Sequence, residues 1–153
     1  MDARAERFAS RLAERGILIE PREMDASTHT AAQAAAALGC GVEAIVKSLL
    51  FLRDDEPVLV LASGPNRVDT ALLTDLLGGE VRMADAKRVK AETGSSIGGV
   101  PPLGHPEPLR TVMDETLLRL PVVWAAAASA TSVFAIEPAR LAELTDATIA
   151  RVA

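Results

Sequence analysis

Two apolar segments separated by four polar residues constrain this chain more than anything else in it. Lys47-Ser48-Leu49-Leu50-Phe51-Leu52 and Pro57-Val58-Leu59-Val60-Leu61-Ala62 flank Arg53-Asp54-Asp55-Glu56. Each segment has the length of a strand and the polar insert has the length of a turn, so the pair reads as a β-hairpin. Neither segment alternates apolar with polar, although successive strand side chains point to opposite faces. Both faces therefore need cover, and the hairpin belongs in the middle of a sheet with elements packed on each side.

The remaining segments can supply that cover. Ala5, Phe8 and Leu12 fall on one face of a helix predicted over residues 2–15, with Gly16 beyond it. Residues 17–20 read as a short strand ended by Pro21. Thr30-Ala31-Ala32-Gln33 has capping-box spacing and opens an alanine-rich helix that Gly39 would close. Asp69 can cap a helix carrying Leu72, Leu73, Leu76 and Leu77, and Asp85 can cap another over residues 86–93. Further strands are predicted over 80–83, 109–113, 122–125 and 132–136, with Asp114 capping a helical turn and Pro138 opening a last helix. With 153 residues, 49% of them hydrophobic and 24% charged, the chain fits one α/β domain over residues 1–153. The hairpin makes the sheet mixed rather than purely parallel.

Residues 94–106, Gly-Ser-Ser-Ile-Gly-Gly-Val-Pro-Pro-Leu-Gly-His-Pro, hold four of the ten glycines and three of the nine prolines. Proline removes a backbone donor and glycine raises the cost of order, so neither a helix nor a central strand survives there. The segment is a loop, either a plain connector or one shaped to present backbone groups.

Several function classes lack support. The single cysteine, Cys40, allows no internal disulfide and fits a reducing compartment. No apolar run reaches the ~20 residues of a membrane span, and the charged N-terminal residues lack the apolar run of a signal peptide, so no membrane partner and a cytoplasmic location are expected. A net charge of −5 argues against broad nucleic-acid binding, though not against recognition of one nucleic-acid end. Metal-ligand spacings, a nucleophile elbow and a phosphate-binding glycine loop after a strand are all missing, so neither metal nor cofactor is expected.

Lys47 is the oddly placed charge. A lysine that begins a doubly apolar strand cannot be buried unpaired without large cost. Either it sits at the sheet rim with its ammonium in water, or it faces a phosphate or a polarised carbonyl in a cleft.

Ile45-Val46-Lys47-Ser48-Leu49-Leu50-Phe51 resembles the lysine strand of the YbaK/prolyl-tRNA synthetase-associated editing domains, and residues 98–105 resemble their Gly-x-x-x-Pro loop. Gly64-x-Asn66-Arg67-Val68-Asp69, Val112-Met113-Asp114, Trp124-Ala125-Ala126 and Val133-Phe134 follow in the family's order. The resemblance implies a mostly antiparallel, barrel-like sheet flanked by helices. It implies a trans-editing aminoacyl-tRNA deacylase that hydrolyses the ester of mischarged tRNA, with a non-catalytic aminoacyl-tRNA- or synthetase-binding module as the alternative. The partners would be the acceptor end of the tRNA and an aminoacyl-tRNA synthetase. By the same resemblance Lys47, Gly98 and Gly99 would be catalytic, Lys47 by charge and the glycines by backbone approach to the substrate. Val100, Pro101, Pro102, Gly104, His105, Thr28 and Ser129 would bind substrate. Attack would be assisted by the substrate itself. Many relatives carry a glycine just after Trp-Ala-Ala, where this chain has Ala127-Ala128-Ser129.

Overall fold

The computed structural model describes residues 2–25, 28 and 30–153. Helix α1 (Ala3–Glu14) is capped by the Asp2 carboxylate, which accepts from the Arg4 N–H, and it buries Ala5, Phe8 and Leu12. After β1 (Arg22–Glu23) comes α2 (Ala31–Leu38). Its capping box is formed as predicted, with Gln33 N–H donating to Thr30 Oγ1 and Thr30 N–H to Gln33 Oε1. Gly39, left-handed at φ 71°, closes it.

A 3-10 turn (Val42–Ala44) leads into β2 (Val46–Arg53), which pairs antiparallel along its whole length with β3 (Glu56–Ser63). Asp54 and Asp55 both take positive φ, the backbone that a tight two-residue hairpin turn demands. Helix α3 (Thr70–Leu77), β4 (Val81–Met83) and α4 (Ala86–Thr93) precede the glycine- and proline-rich loop. Beyond the loop lie β5 (Arg110–Asp114), a 3-10 turn (Glu115–Arg119), β6 (Val123–Ser129), β7 (Ser132–Ile136), α5 (Pro138–Thr145) and β8 (Thr148–Ala150).

The strands form two sheets, one ordered β4-β2-β3-β5-β8 and one ordered β1-β7-β6. The pairings β3–β5 and β5–β8 are parallel and the others antiparallel, so the arrangement is the mixed, mostly antiparallel one expected. Its curvature stops short of closure. An isolated bridge from Ile45 to Trp124 joins the two sheets, and no closed barrel forms among the described residues.

The hairpin is central, as its composition required. On one face Leu50, Leu52, Leu59 and Leu61 pack in a core with Phe8, Leu12, Met113 and Phe134. On the other, Phe51, Val58, Val60 and Ala62 pack with Leu73 and Leu77 of α3 and with Val152. Each such side chain taken out of water contributes about 1.5–3 kcal/mol.

Two strand expectations need correction. Residues 17–20 form no strand. Pairing with β7 begins only at Arg22, after Pro21, because the β7 edge offers partners at Val133 and Ser132. Strand β8 has no counterpart among the strands expected from the sequence. It is a strand because the open edge of β5 satisfies its backbone groups, through Val112–Thr148 to Asp114–Ala150.

Candidate active site

Lys47 stands second in β2, opposite Ala62. Its position is neither of the two extremes, since the side chain is half-buried and Nζ donates to the backbone carbonyl of Asn66 at 2.6 Å. Burial pushes the ammonium pKa below its ordinary value, and the charge of Asp114 partly offsets that push. Asn66 lies in the loop after β3 and is itself held by its side chain. Nδ2 donates to Asp114 Oδ2 at 2.8 Å and to Thr116 Oγ1 at 3.1 Å.

Asp114, at the end of β5, is 1% exposed. Burial alone would raise its carboxyl, but donors hold it below the usual range: the Ser63 N–H, the Asn66 amide and the Thr116 N–H. It caps the following turn as predicted and also fixes the loop that carries the Lys47 partner. Sequence reasoning missed this second role. Its signal was present, since Asn66 and Asp114 both sit in segments that carry the resemblance, but their contact spans 48 residues.

Lys47 lines a cavity of about 330 Å³. The cavity lies along the edge of β2 between β4 and β6, with α2 and the loop around Gly98 closing its sides. Its surface is mainly small and aliphatic, with Ala31, Ala34, Leu50 and Ala126 among the lining residues. Thr28, Ser48, Gly98, Val100 and Ser129 also line it. Ser48 Oγ is buried with no hydrogen-bond partner among the described residues. Ser48 thus brings to the cavity wall a buried hydroxyl that no described residue satisfies, and sequence reasoning gave Ser48 no site role.

Of the predicted site residues, the fold brings Lys47, Gly98, Val100, Thr28 and Ser129 together around this cavity. Gly98 has φ 90°, a backbone that side chains rarely adopt, and no atom lies within 4 Å of where its Cβ would be. Gly99 does not line the cavity. A Cβ on it would lie 3.0 Å from the backbone of Ser129 and Ala130, so glycine lets the loop rest directly on the β6–β7 turn. That close approach is to the protein's own backbone. Pro101 and Pro102 are buried and are not in the cavity wall either.

Gly104 and His105 face elsewhere, into a second cleft between the loop and α1. Both ring nitrogens of His105 are buried without a partner among the described residues. Burial, reinforced by the nearby Arg11 charge, pushes its pKa down to about 4, so the imidazole is neutral at pH 7. The expectation that His105 shares a pocket with Lys47 is corrected, because the loop sends Gly98 and Val100 to the Lys47 cavity and Gly104 and His105 to the neighbouring cleft.

No cysteine, histidine or carboxylate lines the Lys47 cavity among the described residues. Burial, followed by the charge of Glu43, pushes the Cys40 thiol up, away from the activated thiolate range. The site can therefore polarise and position, and its described residues offer no histidine-, cysteine- or carboxylate-based nucleophile–base pair.

The model of the aminoacyl-tRNA editing domain matches residues 25–144 of this sequence. The chain belongs to that family. It is 32% identical over 122 residues to the uncharacterised protein YwhH of Bacillus subtilis, covering 79% of this chain and 78% of YwhH. It is 36% identical over 77 residues to the proline–tRNA ligase of Nitratidesulfovibrio vulgaris, covering half of this chain but only 13% of that ligase. A crystal structure described as a candidate trans-editing enzyme for prolyl tRNA synthetase superposes with a TM-score of 0.95. That match has 42% identity and covers 99% of this chain and 98% of the other. Family membership thus agrees with the segments that pointed to it, in particular the lysine strand and the loop after α4. Among the described residues, no helix is long and apolar enough to cross a membrane.

Proposed function

We propose that the chain is a deacylase acting in trans on mischarged tRNA, with the misplaced aminoacyl group held in the Lys47 cavity. The observation that carries this reading is Lys47 itself, a half-buried ammonium seated on the Asn66 carbonyl in the wall of a mainly apolar cavity. An ammonium has three donors, and the Asn66 carbonyl takes one of them. The others are available to a phosphate or ester carbonyl of the terminal nucleotide. The positive-φ backbone at Gly98 leaves open space where a side chain would stand, which suits close approach of an ester.

The lining also bears on the chemistry. With no histidine or carboxylate among the described residues of the cavity wall, the attacking water passes its proton to the substrate's free ribose hydroxyl, which hands its own proton to the departing ribose oxygen. The water oxygen adds to the ester carbonyl carbon, the ester C–O bond breaks, and the ribose oxygen leaves with a proton. The protein contributes orientation and charge stabilisation, which together can supply several kcal/mol of barrier lowering. A mainly apolar wall of this kind distinguishes one methylene by only about 1–3 kcal/mol, so the aminoacyl group is selected by fit rather than by a specific bond. The alternative, a module that docks aminoacyl-tRNA or a synthetase without turnover, leaves the half-buried lysine without a task.

The test is deacylation of a panel of tRNAs charged with alanine, serine, threonine, cysteine and proline. Hydrolysis of at least one mischarged species, lost in Lys47→Ala with an unchanged melting temperature, is expected. Binding without hydrolysis of any member would favour the docking module. A fully active Lys47→Ala would remove the lysine from the mechanism.

A further inference from the structure

The second cleft, about 610 Å³ in volume, has a wall that the proposed chemistry does not use. Arg4, Arg7, Arg11 and Arg15 of α1 and its C-cap all line it, facing Gly94, Ser95, Gly104, His105 and Pro106 across the gap. The four fall at spacings of three, four and four, so they form a single stripe along the helix. All four are exposed. Arg4 is paired with Asp2 at 2.9 Å, but Arg7, Arg11 and Arg15 have no ion pair among the described residues. The Arg11 guanidinium lies over the Phe8 ring at 6.0 Å from its centroid. Among the described residues, Glu14 is the one acid in the cleft wall. In a chain of net charge −5, this stripe is a local inversion of sign.

Its direction matters as much as its charge. The N-terminal end of α1 is tied to the catalytic cavity, because Ser129 Oγ donates to the Asp2 carboxylate at 3.3 Å and Ser129 lines that cavity. From there the stripe leads away along the helix, and the loop after α4 contributes to the walls of both cavity and cleft. From Arg7 to Arg15 the helix advances about 12 Å, a length comparable to three or four phosphate steps along one strand of a duplex. Guanidinium groups suit such a ligand, since their planar fork bonds phosphate oxygens in pairs.

We propose that Arg7, Arg11 and Arg15 form a docking rail for the phosphates of the nucleic-acid strand whose aminoacylated end occupies the Lys47 cavity. This rests on the deacylase reading and adds to it the surface that grips the substrate beyond its terminal nucleotide. The rail supplies affinity and alignment and touches no reacting atom.

The test compares the wild type with a triple variant, Arg7→Gln, Arg11→Gln and Arg15→Gln, on two substrates over a range of KCl. One is the full mischarged tRNA and the other is the same amino acid esterified to adenosine. For the tRNA, kcat/KM is expected to fall at least tenfold at low salt, and the slope of its logarithm against log[KCl] to flatten by about two to three, as the loss of three phosphate contacts requires. Hydrolysis of the adenosine ester should stay within twofold of wild type. Unchanged tRNA kinetics, or an equal fall on both substrates, would overturn the rail. If the wild type hydrolyses neither substrate, the deacylase reading fails separately. Anisotropy of a fluorescent acceptor-stem hairpin RNA then decides the rail: salt-dependent binding lost in the triple variant supports it, and equal or absent binding overturns it.

Discussion

The Lys47 ammonium rests on the backbone carbonyl of Asn66 at 2.6 Å, so the position of the proposed catalytic charge is set by a loop rather than by its own strand. That loop is held in turn by Asp114, which accepts from the Asn66 amide and from the Ser63 N–H. A lysine otherwise free to rotate about four carbons is thus fixed by a carboxylate whose own bonds are to Ser63, Asn66 and Thr116.

The first prediction concerns pH. Burial lowers the Lys47 pKa below 10.5 and the Asp114 charge works against that shift. If the protonated lysine is needed, deacylation falls as pH rises through the lowered pKa, so the alkaline limb lies below 10.5. Asp114→Asn removes the opposing charge and moves that limb to still lower pH. The measurement is kcat/KM against pH after subtraction of spontaneous ester hydrolysis, and a limb that stays in place would mean that another group titrates.

The loop glycines should fail differently. Gly98→Ala places a side chain at φ 90° in open space, costing about 1–3 kcal/mol of backbone strain. Gly99→Ala pushes a methyl group against the backbone of Ser129 and Ala130, which cannot rotate away, and should cost about 1–3 kcal/mol as overpacking while lifting the loop from the β6–β7 turn. Amide exchange at residues 97–100 should therefore quicken in Gly99→Ala. Unaltered exchange would show that the loop is held by other contacts.

His105 should be visible in acid. Its folded-state pKa of about 4 lies below the ordinary 6.5, so the unfolded chain takes up the proton first. The stability this neutral histidine contributes is complete above pH 6.5 and is lost as pH falls toward 4, by about 3 kcal/mol over the whole interval. Denaturant midpoints between pH 7 and 5 should fall more gently in His105→Leu than in the wild type. Parallel curves would place the acid sensitivity elsewhere.

Ser48 carries a prediction of opposite signs. Its buried, unpartnered hydroxyl costs about 1–3 kcal/mol when the cavity holds nothing that bonds to it. Ser48→Ala should raise the melting temperature while lowering kcat/KM on the favoured ester about five- to tenfold, the worth of one hydrogen bond. A gain in stability with no change in kinetics would make the hydroxyl a passive part of the wall.

The parts of this molecule that were legible in the sequence are those written locally. The Thr30–Gln33 box, the Asp69 and Asp85 caps and the doubly apolar hairpin all depend on neighbours within a few residues, and each is found where expected. What was hidden depends on distant partners. Strand β8 exists because β5 has an open edge, and no periodicity in three residues could announce that. The Lys47 support joins Asn66 across 19 residues and reaches Asp114 48 residues further on. The separation of His105 from Lys47 follows from the path of the loop over α1, which its composition marked as irregular without giving its direction.

The missing closure between the two sheets has a mechanical consequence. One side of the cavity belongs to β2 and the other to the β6–β7 hairpin, and the Ile45–Trp124 bridge joins them. A guest's room is thus a matter of how far one slab leans from the other. Away from the cavity wall, Phe134 of β7 packs on Phe8 of α1 with ring centroids 5.8 Å apart, in the core that also holds Leu50 of β2. Shaving either ring would retune which acyl groups fit without altering an atom of the cavity wall.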